Sequence, residues 1–158
     1  MSTSEVLVVD DDPMMCRIIH RMLSDEQHKV QTSQSVADAL GAIEQKAFDA
    51  YVIDFKLPDG SGLDIAERIR SKWGASPIIL ISGYDPNIVS LRAEKLGISE
   101  FLQKPFSRKT ICETVKKATI NAPRAASKPL PIDTPASPTV SGGRSWTRFW
   151  KRQAKRPA

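Results

Sequence analysis

Short apolar runs alternate with segments of helical period through the first 120 residues, and this alternation sets most of what the chain can become. The clearest run is Pro77 to Ser82, Pro-Ile-Ile-Leu-Ile-Ser, which is apolar almost throughout, as a central strand covered on both faces must be. Val6 to Val9, Ala50 to Ile53 and Glu100 to Lys104 are similar stretches, and Lys29 to Ser33 is a weaker one. Each is followed by apolar residues at helical spacing. Met15, Ile18, Ile19 and Met22 form the first set, and Val36, Leu40 and Ile43 the second. Leu63, Ile65, Ala66 and Ile69 form the third, Val89, Leu91 and Leu96 the fourth, and Ile111, Val115 and Ala118 the fifth. Capping signals precede them: Asp12-Pro13, Ser35 with Asp38, Ser61 with Asp64, Asp85-Pro86 and Ser107. Gly74 and Gly97 mark ends. Strands in strict alternation with helices specify an α/β fold with right-handed crossovers. The expected architecture is a five-stranded parallel sheet of order 2-1-3-4-5 with helices on both faces.

In a parallel sheet all strand ends of one kind share an edge, and here that edge is polar. The first strand runs into Asp10, Asp11 and Asp12, the third ends at Asp54, the fourth at Ser82 and the fifth at Lys104. Asp12 has a capping role to play, whereas Asp10 and Asp11 have none. Singly, each such residue is an ordinary turn or cap residue. Together, three carboxylates would repel one another unless a cation sat among them, and Mg²⁺ suits oxygen ligands. Asp54 then offers a nucleophile, Lys104 a positive charge and Ser82 a hydroxyl to a phosphoryl group, a set that fits phosphoryl transfer.

Four blocks in order resemble bacterial response-regulator receiver domains: Val-Val-Asp-Asp-Asp-Pro (8–13), Ile-Asp-Phe-Lys-Leu-Pro-Asp-Gly-Ser-Gly (53–62), Ile-Leu-Ile-Ser-Gly (79–83) and Lys-Pro-Phe (104–106). The resemblance spans residues 5–120 and implies a flavodoxin-like receiver fold. It implies that Asp54 accepts a phosphoryl group from a sensor histidine kinase or phosphotransfer protein. It further implies that Asp10, Asp11, Asp54 and the backbone carbonyl of Lys56 hold Mg²⁺, and that Ser82 and Lys104 contact the phosphoryl oxygens. Phe101 falls where the family has an aromatic switch that follows the hydroxyl residue, and the Lys104–Pro105 bond is expected to be cis. Ser82 replaces the commoner threonine. Lys56 and Tyr84, each two residues past a site residue, are bulky enough to restrict the attacking water and prolong the acyl phosphate. An Asp-x-Asp phosphatase is the enzymatic alternative, but Lys56 stands where its second acid would be. A constitutive adaptor that is never phosphorylated is the other alternative.

Charge separates the chain into two parts. Residues 1–120 hold 15 Lys+Arg and 17 Asp+Glu, a net of −2, while residues 121–158 hold 8 and 1, a net of +7. Residues 121–143 read as a Pro-rich linker and 144–158 as a basic aromatic tail, disordered in isolation. If the tail is helical, Trp146, Phe149 and Trp150 share one face, and its expected partner is an anionic membrane or, alternatively, nucleic acid. The stretch after residue 120 is too short for a DNA-binding domain with its own core, so signalling to an unknown downstream protein through the 86–120 face is expected. Cys16 and Cys112 lie in helical patterns and read as reduced thiols. With no apolar run near the ~20 residues of a membrane span and no leader-like N-terminus, the expected location is cytoplasmic.

Overall fold

The computed structural model describes residues 3–84 and 86–122, with backbone alone for 86–90. The elements are β1 (Glu5–Val9), α1 (Pro13–Asp25), β2 (Lys29–Ser33), α2 (Val36–Gln45), β3 (Ala50–Asp54), β4 (Lys56–Leu57), β5 (Gly60–Ser61), α3 (Gly62–Trp73), β6 (Ile78–Ser82), α4 (Pro86–Lys95), β7 (Glu100–Gln103) and α5 (Arg108–Asn121). The main sheet has the order β2-β1-β3-β6-β7, and all its pairings are parallel. This is the expected 2-1-3-4-5 arrangement with helices on both faces. The antiparallel pair β4–β5 is an addition that the sequence did not announce; it is a small hairpin between β3 and α3. The Asp85 cap, the tail and almost all of the linker lie outside the described residues.

Strand residues sort by parity into two cores, because successive side chains point to opposite faces. Leu7, Val9, Tyr51, Ile53, Ile78, Leu80 and Phe101 pack with α2, α3 and Ala93 of α4. Val6, Val8, Ala50, Val52, Ile79, Ile81 and Leu102 pack with α1 and α5. β3 and β6 are buried along their whole length, which explains their unbroken apolar runs.

Three of the described helices start on predicted caps from one short polar side chain. Asp12 accepts from Met14 N–H, with Pro13 as the first helical residue. Ser35 accepts from Asp38 N–H, and Ser107 from Thr110 N–H. Ser61 and Asp64 complete a reciprocal capping box at the start of α3.

Two predicted faces shift. In α1 the buried residues are Cys16, Ile19 and Leu23, while Ile18 is exposed. The Met14–Met15 and Ile18–Ile19 pairs let two neighbouring phases of the helix look equally apolar, and packing selects one. In α4 Leu91 is 76% exposed and Ala93 is buried instead. Gly97, at φ 62, follows this helix as expected. Cys16 is buried, Cys112 is half-buried, and both are free thiols. No helix among the described residues is long and apolar enough to cross a membrane.

A single side chain joins the loops at the sheet edge opposite the aspartates. The Arg70 guanidinium donates to the carbonyls of Leu96, Gly74, Ser76 and Gly97 at 2.6–2.8 Å. Burial lowers its pKa to about 10, still well above neutrality, so the cation persists.

Candidate phosphoacceptor site

The parity that sorts the core also places the site. Val8 pairs with Val52 and Val9 with Ile53, so Asp10 emerges beside Asp54. Asp10 is 1% exposed and Asp54 7%, while Asp11 is exposed. Carboxylate oxygens of Asp10, Asp11 and Asp54 all lie within 4.8 Å of one another. Burying two carboxylates side by side is costly unless a cation compensates. Lys104, reached from the end of β7, supplies one: its Nζ is 3.0 Å from Asp10 Oδ2 and 3.0 Å from Asp54 Oδ2. The expected cis bond between Lys104 and Pro105 is present.

The electrostatics follow from burial. Desolvation raises the pKa of Asp54, with the Asp10 charge adding to it, against hydrogen bonds from Lys104 and from the Lys56 backbone N–H. Burial alone would lower the pKa of Lys104, but its hydrogen bonds and attraction to Asp10 and Asp54 outweigh that, and the net shift is upward. Asp10 also accepts from Asp12 N–H at 2.9 Å, which turns the acidic loop back onto the strand end.

The other predicted residues divide. Lys56 lines a cleft of about 340 Å³ with Asp11, Asp54, Pro58, Tyr84 and Lys104. Its ammonium lies outward and donates to the Tyr84 hydroxyl at 3.2 Å, while the Tyr84 ring meets Phe55 edge-on at 6.3 Å. Ser82 is 1% exposed and its hydroxyl accepts from Tyr84 N–H at 2.9 Å. It shares the parity of Leu80, opposite to that of Asp54, so it approaches the edge from the other face. Phe101 is 2% exposed and packed inward in the core with α2 and α3.

Gly62, the last residue of the 53–62 block, has a packing role. A Cβ there would lie 2.2 Å from the Asp54 carbonyl oxygen, so only glycine lets α3 begin against β3. Gly62 N–H also donates to Phe55 O at 2.8 Å, closing the loop beyond Asp54. A glycine following a Pro-Asp-Gly-Ser turn and opening a helix was the available signal.

Comparison with known proteins agrees with this geometry. Residues 6–116 match the model of the response regulator receiver domain family. The chain is 29% identical over 131 residues to the response regulator protein PilR of Pseudomonas aeruginosa, covering 82% of this chain and 29% of that one. It is 34% identical over 100 residues to the acid tolerance regulatory protein ActR of Rhizobium meliloti, covering 63% and 52%. The chain thus spans about half, or less, of the length of these curated relatives. Among solved structures, the non-phosphorylated HemR receiver domain of Leptospira biflexa superposes with a TM-score of 0.70 at 29% identity, covering 77% of this chain and 98% of that one. The response regulator protein TrrA of Thermotoga maritima, in complex with Mg²⁺-BeF, gives 0.67 at 28% identity, covering 73% and 99%. The order of the strands, the acidic edge and the matched span converge, and the chain belongs to the response-regulator receiver family of two-component systems.

Proposed function

We propose that this receiver takes a phosphoryl group onto Asp54 from the phosphohistidine of a sensor histidine kinase or phosphotransfer protein. The observation that carries the reading is the Lys104 ammonium held 3.0 Å from both Asp10 and Asp54, with three carboxylates gathered around one point. Phosphorylation and Mg²⁺ are general features of the family, and the donor set here suits that ion. Asp10, Asp11 and Asp54 offer an all-oxygen cluster, and the Lys56 carbonyl is the fourth proposed protein ligand. Bound Mg²⁺ supplies the charge neutralisation that lets a phosphate approach the carboxylates.

The chain's own residues do the rest. An Asp54 carboxylate oxygen attacks phosphorus, the P–N bond breaks, and its electron pair returns to the imidazole. Lys104 turns from the carboxylates to a phosphoryl oxygen. Ser82 donates its hydroxyl to another, and Phe101 packs behind the loop that follows. Output passes to a downstream protein through the 86–120 face. On incubation of the full chain with acetyl phosphate, intact mass spectrometry should show one added phosphoryl group. The gain should require Mg²⁺ and vanish in Asp54→Ala; a gain that persists in the variant rejects Asp54 as the acceptor.

The Lys56–Tyr84 contact supports a slow loss of that phosphoryl group, because both residues line the cleft that holds Asp54. Lys56→Ala and Tyr84→Ala should each speed dephosphorylation by about 3–10-fold, roughly the effect of about 0.7–1.4 kcal/mol on a barrier. Equal decay rates in all three proteins would remove the proposed screen.

A further inference from the structure

Asp59 is an exposed carboxylate at the tip of the β4–β5 hairpin, yet both its oxygens are engaged. Oδ1 accepts from Val36 N–H at 2.8 Å and Oδ2 from Ala37 N–H at 3.0 Å. These are the first two amides of α2. Helix starts leave such donors unpaired, and they attract negative charge. The two backbone hydrogen bonds, Ala37 first and Val36 second, hold the Asp59 carboxyl below its ordinary pKa. Ser35 already caps this helix by accepting from Asp38 N–H. Asp59 is therefore a second cap, contributed by a loop that belongs to the acceptor site.

The hairpin is pinned from both sides. On the β5 side, Ser61 N–H donates to Asp64 at 3.0 Å and Ser61 Oγ donates to Phe55 O at 3.3 Å. At its tip, Asp59 fixes it to α2, and Gly60 lies against Val36. Leu57, between tip and site, is buried. Between these ties lies Lys56, two residues beyond Asp54, whose main chain pairs with Ser61 in the β4–β5 ladder.

We infer that Asp59 is a positioning residue for the acceptor site: by anchoring the hairpin tip on α2 it holds the Lys56 main chain against Asp54 and the proposed metal ligands. This inference rests on the reading of Asp10, Asp11, Asp54 and the Lys56 carbonyl as a Mg²⁺ site. Groups that orient a metal ligand directly are worth about 10–100-fold in affinity. Asp59 acts one step further out, so about 3–10-fold is expected. Linkage makes the effect reciprocal: Mg²⁺ should slow hydrogen exchange at the Val36 and Ala37 amides, which lie outside the cleft.

The test is a titration of the full chain with MgCl₂ alone, followed by amide NMR shifts, with circular dichroism confirming the fold of each variant. Asp59→Ala should weaken Mg²⁺ binding about 3–10-fold, and Asp59→Asn, which keeps one acceptor oxygen, should weaken it less. Val36→Pro removes one of the two bonds from the other side and leaves that of Ala37 N–H. Proline has no N–H, and Ser35 before it is already extended (φ −148, ψ 166). It stands in if Asp59→Ala fails to fold, and in the double variant its effect should not add to that of Asp59→Ala. A simple cap would lower the melting temperature and leave the Mg²⁺ affinity and the amide protection unmoved, and that result overturns the inference while leaving the metal site intact. A wild type with no Mg²⁺ response, or one matched by Asp54→Ala, rejects the metal site itself and the inference with it.

Discussion

Among the described residues, the segments that follow Asp54 and Ser82 are held by different kinds of contact. The loop after Asp54 is closed by Gly62 N–H on Phe55 O, braced by the Ser61–Asp64 capping box and tied to α2 through Asp59. The helix it feeds, α3, buries Leu63, Ile65, Ala66, Ile69 and Trp73. The loop after Ser82 leads into α4, in which Leu91 is exposed and Ala93 is buried. From the α3 side, α4 is held by Arg92, which pairs with Asp64 at 2.8 Å and Glu67 at 3.1 Å on the surface. A receiver needs both kinds of support. The carboxylate that takes the phosphoryl group gains from a fixed position, while the segment that reports the change must have more than one arrangement within a few kcal/mol.

Substitutions can break this contrast on the rigid side first. Gly62→Ala forces a methyl group into the Asp54 carbonyl, so α3 or β3 must move. A loss of about 2–4 kcal/mol in urea unfolding is expected, together with loss of acetyl phosphate labelling. If the variant unfolds like the wild type, the close approach of α3 to β3 is not needed.

Asp64→Ala removes one half of the capping box and one partner of Arg92, so it should cost about 1–2 kcal/mol at neutral pH. Its hydrogen bond from Ser61 N–H and its bond to Arg92 hold its carboxyl below the ordinary value of 3.8. A group depressed in the folded state stabilises above its unfolded pKa and loses that effect as pH falls through its folded one. The gap between wild type and variant should therefore be full at pH 7, shrink below about pH 4 and close further down. A gap that widens in acid would contradict the assignment.

The smallest effect on stability is expected from Arg92→Ala, because both partners are largely exposed: less than about 0.5 kcal/mol. Hydrogen exchange should nevertheless quicken in α4 and stay constant in α3. Equal changes in both helices would mean that the two loops are not independently supported.

Much of the site was legible because parallel alternation sends every strand's carboxyl end to one edge, and Asp10, Asp11, Asp54 and Lys104 are brought together there as read. Strand parity could have been used further: Asp10, Asp54 and Lys104 continue the rows of Val8, Val52 and Leu102 on the α1–α5 side, whereas Ser82 continues the row of Leu80 on the other. The direct pairing of Lys104 with Asp10 had no local signature. Neither did the role of Asp59, because its partners lie more than twenty residues earlier and a Pro-Asp-Gly turn is sufficient reason for an aspartate there. Helix faces were misplaced where apolar residues are adjacent, as at Ile18 and Ile19, or where an apolar residue stays in water, as at Leu91. Periodicity measures how residues are spaced, and only packing decides which phase is buried.

Arg70 carries a consequence for anyone who would re-engineer the chain. Its guanidinium takes carbonyls from the turn after α3 and from the turn after α4, so two stretches distant in sequence act as one mechanical joint. Cutting the backbone or inserting a reporter at either turn would strip acceptors from a cation that stays charged, and damage at one turn would be felt at the other. Circular permutants and split halves of this receiver should be opened elsewhere.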